Sequence, residues 1–313
     1  HCSEIVCNHG YDRDGLSICR TLPNVVPLYC GTMVPMPARP GWWPSTLPWQ
    51  GILPPPRPKR RSGGGLPPSR SPSPPSPPTP PVPPVDPLAI YSDDFTSGEF
   101  NSTWQQYLPE LITLRTIESG QLRLGAFAGG AAGSDWFNAT DGIIYGPMIA
   151  GDCLMRARMI GRNYAGDGPI PLSEFRIAGI SAHDPAQPPF NYCHLGLGVL
   201  VPEVGATYRI ESKSNRDSVS DYITQDWPGD VYSEVALQRV GQIFTYAARL
   251  DPSDAFTITR IIDRAVDGPL LPQELWWGLM TYSNELITDT SATYDWVDFS
   301  TPGFNGGLIL PTS

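Results

Sequence analysis

Residues 231–250, which read VYSEVALQRVGQIFTYAARL, give the clearest signal of the fold. Apolar and polar residues alternate on both sides of Val240-Gly241-Gln242, the pattern of two half-buried strands joined by a tight turn. Similar short runs recur as far as Phe299, starting with an expected strand over Leu88 to Tyr91. About a dozen such runs without an amphipathic helical stripe predict an all-β domain, a β-sandwich or jelly roll.

Proline is concentrated in one segment of the chain. Sixteen of the 37 prolines fall between Pro54 and Pro87. Because proline fixes φ and restricts the residue before it, this segment is expected to be a polyproline II linker without a β-ladder. The sequence therefore predicts a small Cys-containing segment at 1–53, a Pro-rich stalk at 54–87 and the sandwich at 88–313.

The stalk carries a compositional resemblance of its own. Its Ser-Pro-Pro and Thr-Pro-Pro repeats are similar to the hydroxyproline-rich, O-glycosylated stalks of algal and plant extracellular glycoproteins. That resemblance implies O-glycosylation at Ser71, Ser73, Ser76 and Thr79.

Charge follows the same division. The stalk carries a net +4, and residues 88–313 hold 13 basic and 27 acidic residues, a net −14. An acidic domain with only two lysines in the chain, Lys59 and Lys213, repels phosphate backbones, so nucleic acid is not an expected partner. No apolar run in the sequence reaches the length of a membrane span.

Several features predict an extracellular or cell-surface protein. The chain opens at His1, as expected after removal of a signal peptide, and N-glycosylation sequons begin at Asn101 and Asn138. The even number of cysteines indicates disulfides in an oxidising compartment, although three pairings of the first four stay open. Cys193 is expected to meet Cys153 across neighbouring strands. The predicted disulfide residues are Cys2, Cys7, Cys19, Cys30, Cys153 and Cys193.

The C-terminal domain carries a family resemblance. Its opening Tyr91-Ser92-Asp93-Asp94-Phe95, its Gly120-Gln121-Leu122-Arg123-Leu124 and its closing Tyr294-Asp295-Trp296-Val297-Asp298-Phe299 resemble concanavalin A-like sandwiches, particularly LamG-like and DUF1349-like modules. The resemblance covers residues 88–301 and implies a concanavalin A-like β-sandwich. It leaves function open, since this architecture hosts lectins, hydrolases and structural domains.

The sequence gives little sign of catalysis. The laminarinase-like branch of the fold needs Glu-x-Asp-x-x-Glu, which places two carboxylates about 5 Å apart, and this motif does not occur. Asp230 and Glu234 are expected to share a face but to lie too far apart. Asp295 and Asp298, at odd spacing, are expected on opposite faces. No catalytic residue is therefore predicted.

Binding sites have weak candidates. Trp104, Trp276 and Trp296 are expected in the core, whereas loop aromatics with adjacent carboxylates could contact sugars. The glycan candidates are Trp136, Asp135, Trp227, Asp226 and Tyr222. No cofactor is required, and calcium is the one cofactor considered, because first and last strands often neighbour each other in this architecture. Its candidate ligands are Asp93, Asp94, Asp295 and Asp298.

The leading hypothesis is a secreted, non-catalytic structural protein, a subunit of a fibre or matrix. A +4 stalk matches a −14 domain, so the stalk of one copy is expected to dock on the sandwich of the next and form a homopolymer. The alternative is a lectin-like adhesion module that binds carbohydrate. The third hypothesis is a glycoside hydrolase.

Overall fold

The computed structural model describes residues 83–107, 109, 112–126, 143–171, 176–186, 188–199, 207–283 and 289–313. These residues form one short α-helix, Arg264–Asp267, two 3-10 helices at Pro87–Tyr91 and Phe304–Gly306, and fifteen strands. The strands are β1 (Gln105–Tyr107), β2 (Ile112–Glu118), β3 (Gln121–Ala126), β4 (Ile143–Gly146), β5 (Met148–Ala150), β6 (Cys153–Asn163), β7 (Arg176–His183), β8 (Tyr192–Val199), β9 (Tyr208–Arg216), β10 (Val219–Asp226), β11 (Ser233–Val240), β12 (Ile243–Arg249), β13 (Thr257–Asp263), β14 (Glu274–Ser283) and β15 (Thr290–Ser300).

Several sequence predictions lie outside the described residues and stay predictions. They concern residues 1–82 and residues 127–142. The residues are Cys2, Cys7, Cys19, Cys30, Ser71, Ser73, Ser76, Thr79, Asp135, Trp136 and Asn138.

The strands form two antiparallel sheets packed face to face, which confirms the predicted β-sandwich. One sheet has eight strands in the order β1-β4-β14-β7-β8-β9-β10, with β5 paired to β14, and the other has seven in the order β13-β12-β11-β6-β15-β3-β2. Both sheets draw strands from along the whole domain, so distant parts of the sequence meet at one surface. No helix in the described ranges is long and apolar enough to cross a membrane.

The hairpin predicted over residues 231–250 is confirmed. β11 and β12 pair in register from Glu234↔Arg249 to Val240↔Ile243. Gly241 takes a φ of +61° in the turn, a conformation that glycine adopts without steric cost. The alternation places Val235 and Leu237 in the core and leaves Glu234 on the outer face of the seven-stranded sheet.

The predicted first strand, Leu88 to Tyr91, is wrong. Pro87 starts a 3-10 helix there, and Asp86 caps it by accepting the Leu88 amide at 3.0 Å. The same carboxylate accepts the Thr301 amide at 2.8 Å and the Thr301 hydroxyl at 3.0 Å. Asp86 therefore fastens the start of the domain to the end of β15.

The main core lies between the two sheets. The Tyr294 side chain extends across this core. Its hydroxyl donates a hydrogen bond that is shared between the carbonyl oxygens of Gly179, at 2.8 Å, and Met280, at 3.0 Å. Trp104, at 7% exposure, and Trp277, fully buried, belong to this core. The core placement predicted for Trp104 is therefore confirmed.

The predicted pairing of Cys153 with Cys193 is wrong. Cys153 begins β6 in the seven-stranded sheet, whereas Cys193 lies in β8 of the other sheet, so their strands are not neighbours. Both cysteines are buried free thiols. Burial raises the pKa of both thiols, well above the usual range for Cys153, which leaves them as small apolar core residues.

The outer face of the eight-stranded sheet is itself covered. It holds a second buried cluster that includes Ile144, Ile177 and Met280. Trp276 packs there instead of in the main core, stacked on the buried His183 with ring centroids 5.7 Å apart. The same sheet ends in β10, most of whose residues are polar and exposed or half-buried.

Candidate active site

A groove of about 730 Å³ lies on the outer face of the seven-stranded sheet, and we call it the Trp296 groove. It is open and mixed in character, within the size range of small-ligand sites. Strands from four parts of the chain build its floor, and the segment before β1 closes one side. The lining residues include Asp93, Asp94, Arg156, Glu234, Trp296 and Asp298.

A β-bulge shapes the floor of the groove. The pairing of β15 with β6 shifts between Tyr294 and Trp296, so that Tyr294 opposes Met159 and Trp296 opposes Arg158. The extra residue, Asp295, lets two consecutive side chains leave by the same face. Trp296 is therefore half-buried and lines the groove, and its predicted place in the core is wrong.

An alternating row of charges crosses four strands beneath the groove. Arg249 on β12 donates to Oε2 of Glu234 at 2.6 and 2.8 Å. Arg156 on β6 reaches Oε1 of Glu234 at 3.5 Å and donates to Oδ2 of Asp298 at 2.8 and 3.2 Å. Glu234 is only 2% exposed, so its two guanidinium partners supply the charge compensation that burial demands.

A second network holds Arg158. Its Nε donates to Oδ2 of Asp295 at 2.8 Å, and its guanidinium lies 5.3 Å from the centre of the Tyr232 ring. The Gln121 amide donates to Oδ1 of Asp295 at 2.6 Å and to the Tyr232 hydroxyl at 2.8 Å. The four side chains form a closed ring of contacts that fixes the direction of Arg158.

Asp93 and Asp94 have opposite electrostatic settings. Asp93 forms a two-bond bridge with the backbone of Val297, at 2.8 and 2.9 Å. Burial raises the pKa of Asp93 despite the Phe95 amide that its side chain accepts, and the charge of Asp94 raises it further. The Thr96 hydroxyl and amide lower the pKa of Asp94, which is exposed.

The predicted calcium site does not form in the part of the chain that the structure describes. Asp295 and Asp298 each pair with an arginine, at 2.8 Å in both cases. No group of three or more His, Cys, Asp or Glu side chains is placed there to hold a metal ion. In the structure an arginine guanidinium supplies the positive charge beside each of these two carboxylates.

The described glycan candidates lie away from the groove, on or just after the end strand β10 of the other sheet. Tyr222 is 40% exposed. Asp226 is 87% exposed and pairs with Arg209 at 3.4 Å. Trp227 packs against the main core, and its indole N–H donates to Ser233 at 3.0 Å, so its ring serves packing and not a sugar platform.

The sequon at Asn101 is engaged in the fold. Its amide nitrogen, where a glycan would be attached, donates to the carbonyls of Ile90 at 3.2 Å and Ser92 at 3.3 Å. Its side-chain oxygen accepts the Thr103 amide and hydroxyl at 3.0 and 2.6 Å. Glycosylation would leave one N–H and so displace one of the two carbonyl bonds.

Sequence reasoning missed most of the groove. The sequence singles out Glu234 only as a member of a pair that fails the hydrolase motif, and Asp298 only for such a pair and as a candidate calcium ligand. The alternation in Met155-Arg156-Ala157-Arg158-Met159 does predict a strand with an arginine face. No pattern in the sequence predicts the bulge that turns Trp296 toward those arginines.

Comparison with known proteins supports the fold. No protein-family model and no curated protein matches the chain. A solved variant of the GH43 protein BlXynB from Bacillus licheniformis is 12% identical, covers 71% of this chain and 41% of its own, and has a TM-score of 0.50. A functionally unknown protein from Saccharomyces cerevisiae is 14% identical over 64% of this chain and 97% of its own, with a TM-score of 0.47. A xylan beta-1,4-xylosidase from Bacillus halodurans is 12% identical over 73% and 41%, with a TM-score of 0.46.

This comparison corrects the leading hypothesis. The neighbour with the TM-score of 0.50 is a protein of glycoside hydrolase family 43, so the prediction of a non-enzymatic structural subunit is contradicted. At 12% identity the likeness shows the fold alone, and this chain spans 41% of that protein. The chain is thus similar in fold to part of a carbohydrate-active enzyme.

Proposed function

We propose that this chain is a glycoside hydrolase that cleaves a glycan bound in the Trp296 groove. The observation that carries the proposal is that one aromatic residue and two aspartates in different settings line the same groove. Asp93 is partly desolvated, whereas Asp298 is ion-paired with Arg156 at 2.8 Å. Carboxylates whose environments differ in this way take different roles in glycoside hydrolysis.

The roles follow from those settings. Burial raises the pKa of Asp93, which suits it to give a proton to the glycosidic oxygen as the bond to the anomeric carbon breaks. Asp298 supplies the carboxylate that stabilises the positive charge at that carbon and takes the proton of the incoming water. The Asp93–Val297 bridge places the backbones of Asp93 and Asp298 side by side, because Asp298 follows Val297 directly.

The remaining groove residues suit a sugar. The Arg156 guanidinium lies over the Trp296 ring, 5.7 Å from its centre, and the part of the ring that it leaves uncovered offers an apolar surface to a sugar. The arginine and aspartate side chains around the ring offer donors and acceptors for hydroxyl groups. The LamG-like and DUF1349-like assignment and an extracellular location belong to the same proposal. They are supported by the sequence runs quoted above, the cysteine-rich first thirty residues and the two sequons.

The test is sugar release by the purified full chain from a panel of neutral and acidic plant, algal and microbial polysaccharides. Reducing ends should appear with at least one of them. Asp93→Asn should lower kcat by at least about 100-fold, since it removes a general acid. Asp226→Asn, an exposed aspartate on the opposite sheet, is the matched control and should leave kcat unchanged.

Two results would contradict the proposal. The absence of sugar release from every polysaccharide would refute the activity. Sugar release that survives in the Asp93→Asn variant would place the chemistry elsewhere in the chain.

A further inference from the structure

The terminal nitrogens of Arg158 are not used by the described part of the fold and can bind a ligand. Within the described ranges its Nε is bound to Asp295 at 2.8 Å, and no hydrogen bond occupies its terminal nitrogens, Nη1 and Nη2. The side chain is 31% exposed and lines the Trp296 groove. These two nitrogens form the planar fork that binds a carboxylate through two parallel hydrogen bonds.

The fork is held in place before any ligand binds. Asp295 fixes the guanidinium at Nε, the Tyr232 ring lies against it, and Gln121 links Asp295 to Tyr232. A side chain restrained in this way loses little further freedom on binding, so more of the contact energy appears as affinity. Arg158 is therefore built as a recognition element and differs from a mobile surface arginine.

The position of Arg158 relative to the aromatic ring defines what it would contact. Arg158 lies directly opposite Trp296 in the β6–β15 register. Side chains paired in this way have Cβ atoms about 5 Å apart, and both line the Trp296 groove, so a sugar bound against the free part of Trp296 lies near Arg158. Glu234, opposite Arg158 on the other neighbouring strand, is already bound by Arg249 and Arg156 and does not compete for the fork.

We infer that the substrate is a mostly uncharged glycan carrying a uronic acid, whose carboxylate binds Nη1 and Nη2 of Arg158. The domain's net charge of −14 opposes a polyanion, since every further negative sugar is repelled by the acidic surface. A single carboxylate at the fork avoids that penalty, because the wider field is screened beyond about 8 Å at physiological ionic strength. This inference rests on the proposed function of the groove.

The test uses one matched pair of ligands, a xylotetraose carrying a single glucuronic acid and the methyl ester of the same compound. Affinity is measured by calorimetry, which needs no turnover, and kcat/KM is measured in parallel. The wild type should prefer the acid by about 10- to 100-fold, the range for a hydrogen-bonded charge. Arg158→Gln should abolish the preference while still binding the ester, and Arg158→Lys should restore part of it.

Arg209→Gln is the matched control, because Arg209 is a partly exposed, ion-paired arginine on the opposite sheet. It should keep the full preference for the acid. Equal affinity of the wild type for acid and ester, no binding of either, or an equal loss of both in Arg158→Gln would overturn the inference. Preferential binding of the acid without hydrolysis would support the inference and refute the proposed function, so the two failures are distinguishable.

Discussion

Asp295 and Asp298, three residues apart on one strand, lie on the same face of the seven-stranded sheet. Each pairs at 2.8 Å with an arginine of β6, Asp295 with Arg158 and Asp298 with Arg156. In a regular strand an odd spacing puts side chains on opposite faces. The bulge at Tyr294/Trp296 removes that parity and creates the floor of the groove.

We expect Trp296→Ala to weaken substrate binding more than it slows the chemistry. In the proposed complex the ring contacts the sugar away from the reacting bond, so KM should rise by roughly tenfold, equivalent to an aromatic contact of about 1.4 kcal/mol, with kcat less affected. Steady-state kinetics on the polysaccharide that is cleaved would measure the change. Tyr222→Ala, on the other sheet, should leave KM in place, and a rise there instead would favour the β10 edge as the glycan site.

We expect Glu234→Gln to lower the free energy of unfolding by roughly 1–3 kcal/mol, because two guanidinium groups then lose a shared and buried charge partner. Urea denaturation at pH 7 would measure this loss. Asp226→Asn, which breaks an exposed pair, should cost less than about 1 kcal/mol. Equal effects in the two variants would show that the charge row contributes nothing beyond an ordinary surface pair.

We expect His183 to make the fold sensitive to acid. Burial lowers the pKa of His183 to about 3, far below that of an exposed histidine near 6.5. The stability that this neutral histidine contributes is complete above pH 6.5 and is lost as pH falls toward 3, because the unfolded chain binds the proton first.

The measurement for His183 is urea denaturation of the wild type and of His183→Gln at pH 7 and pH 4.5. The wild type should lose up to about 1.4 kcal/mol per pH unit more than the variant. Parallel losses in the two proteins would show that His183 is not the group that takes up the proton.

We expect the two core thiols to be inert in the folded protein. Cys153 and Cys193 are buried free thiols, and burial raises the pKa of both, so neither presents a thiolate to a reagent. Iodoacetamide should label both only after denaturation, as followed by peptide mass spectrometry. Labelling of either residue under native conditions, or a disulfide between them, would contradict the core described above.

The sequence predicts the sandwich better than it predicts the site. Alternation over residues 231–250 is set by burial of one face of each strand, so it can be seen in the sequence and is confirmed in the structure. The polar strand β10 was not predicted, because an exposed end strand has no buried face to enforce alternation. The apolar run from Leu88 to Tyr91 predicts a strand, but Pro87 starts a 3-10 helix there.

The site depends on features that leave no local pattern. The groove unites the start of the domain with β6, β11, β12 and β15, whose adjacency is a property of sheet order. The outward turn of Trp296 depends on one inserted residue in the ladder. The parity argument that split Asp295 from Asp298 is therefore correct for a regular strand and wrong for this one.

Hydrolysis in the Trp296 groove is tested by a crystal structure of the Asp93→Asn variant with an oligosaccharide of the polysaccharide that the wild type cleaves. A sugar ring should lie on Trp296, with the glycosidic oxygen within hydrogen-bond distance of residue 93 and the anomeric carbon facing Asp298. An oligosaccharide bound on the eight-stranded sheet would contradict hydrolysis in the Trp296 groove. An oligosaccharide bound in that groove with its glycosidic bonds out of reach of residue 93 would contradict the role of Asp93 as the acid.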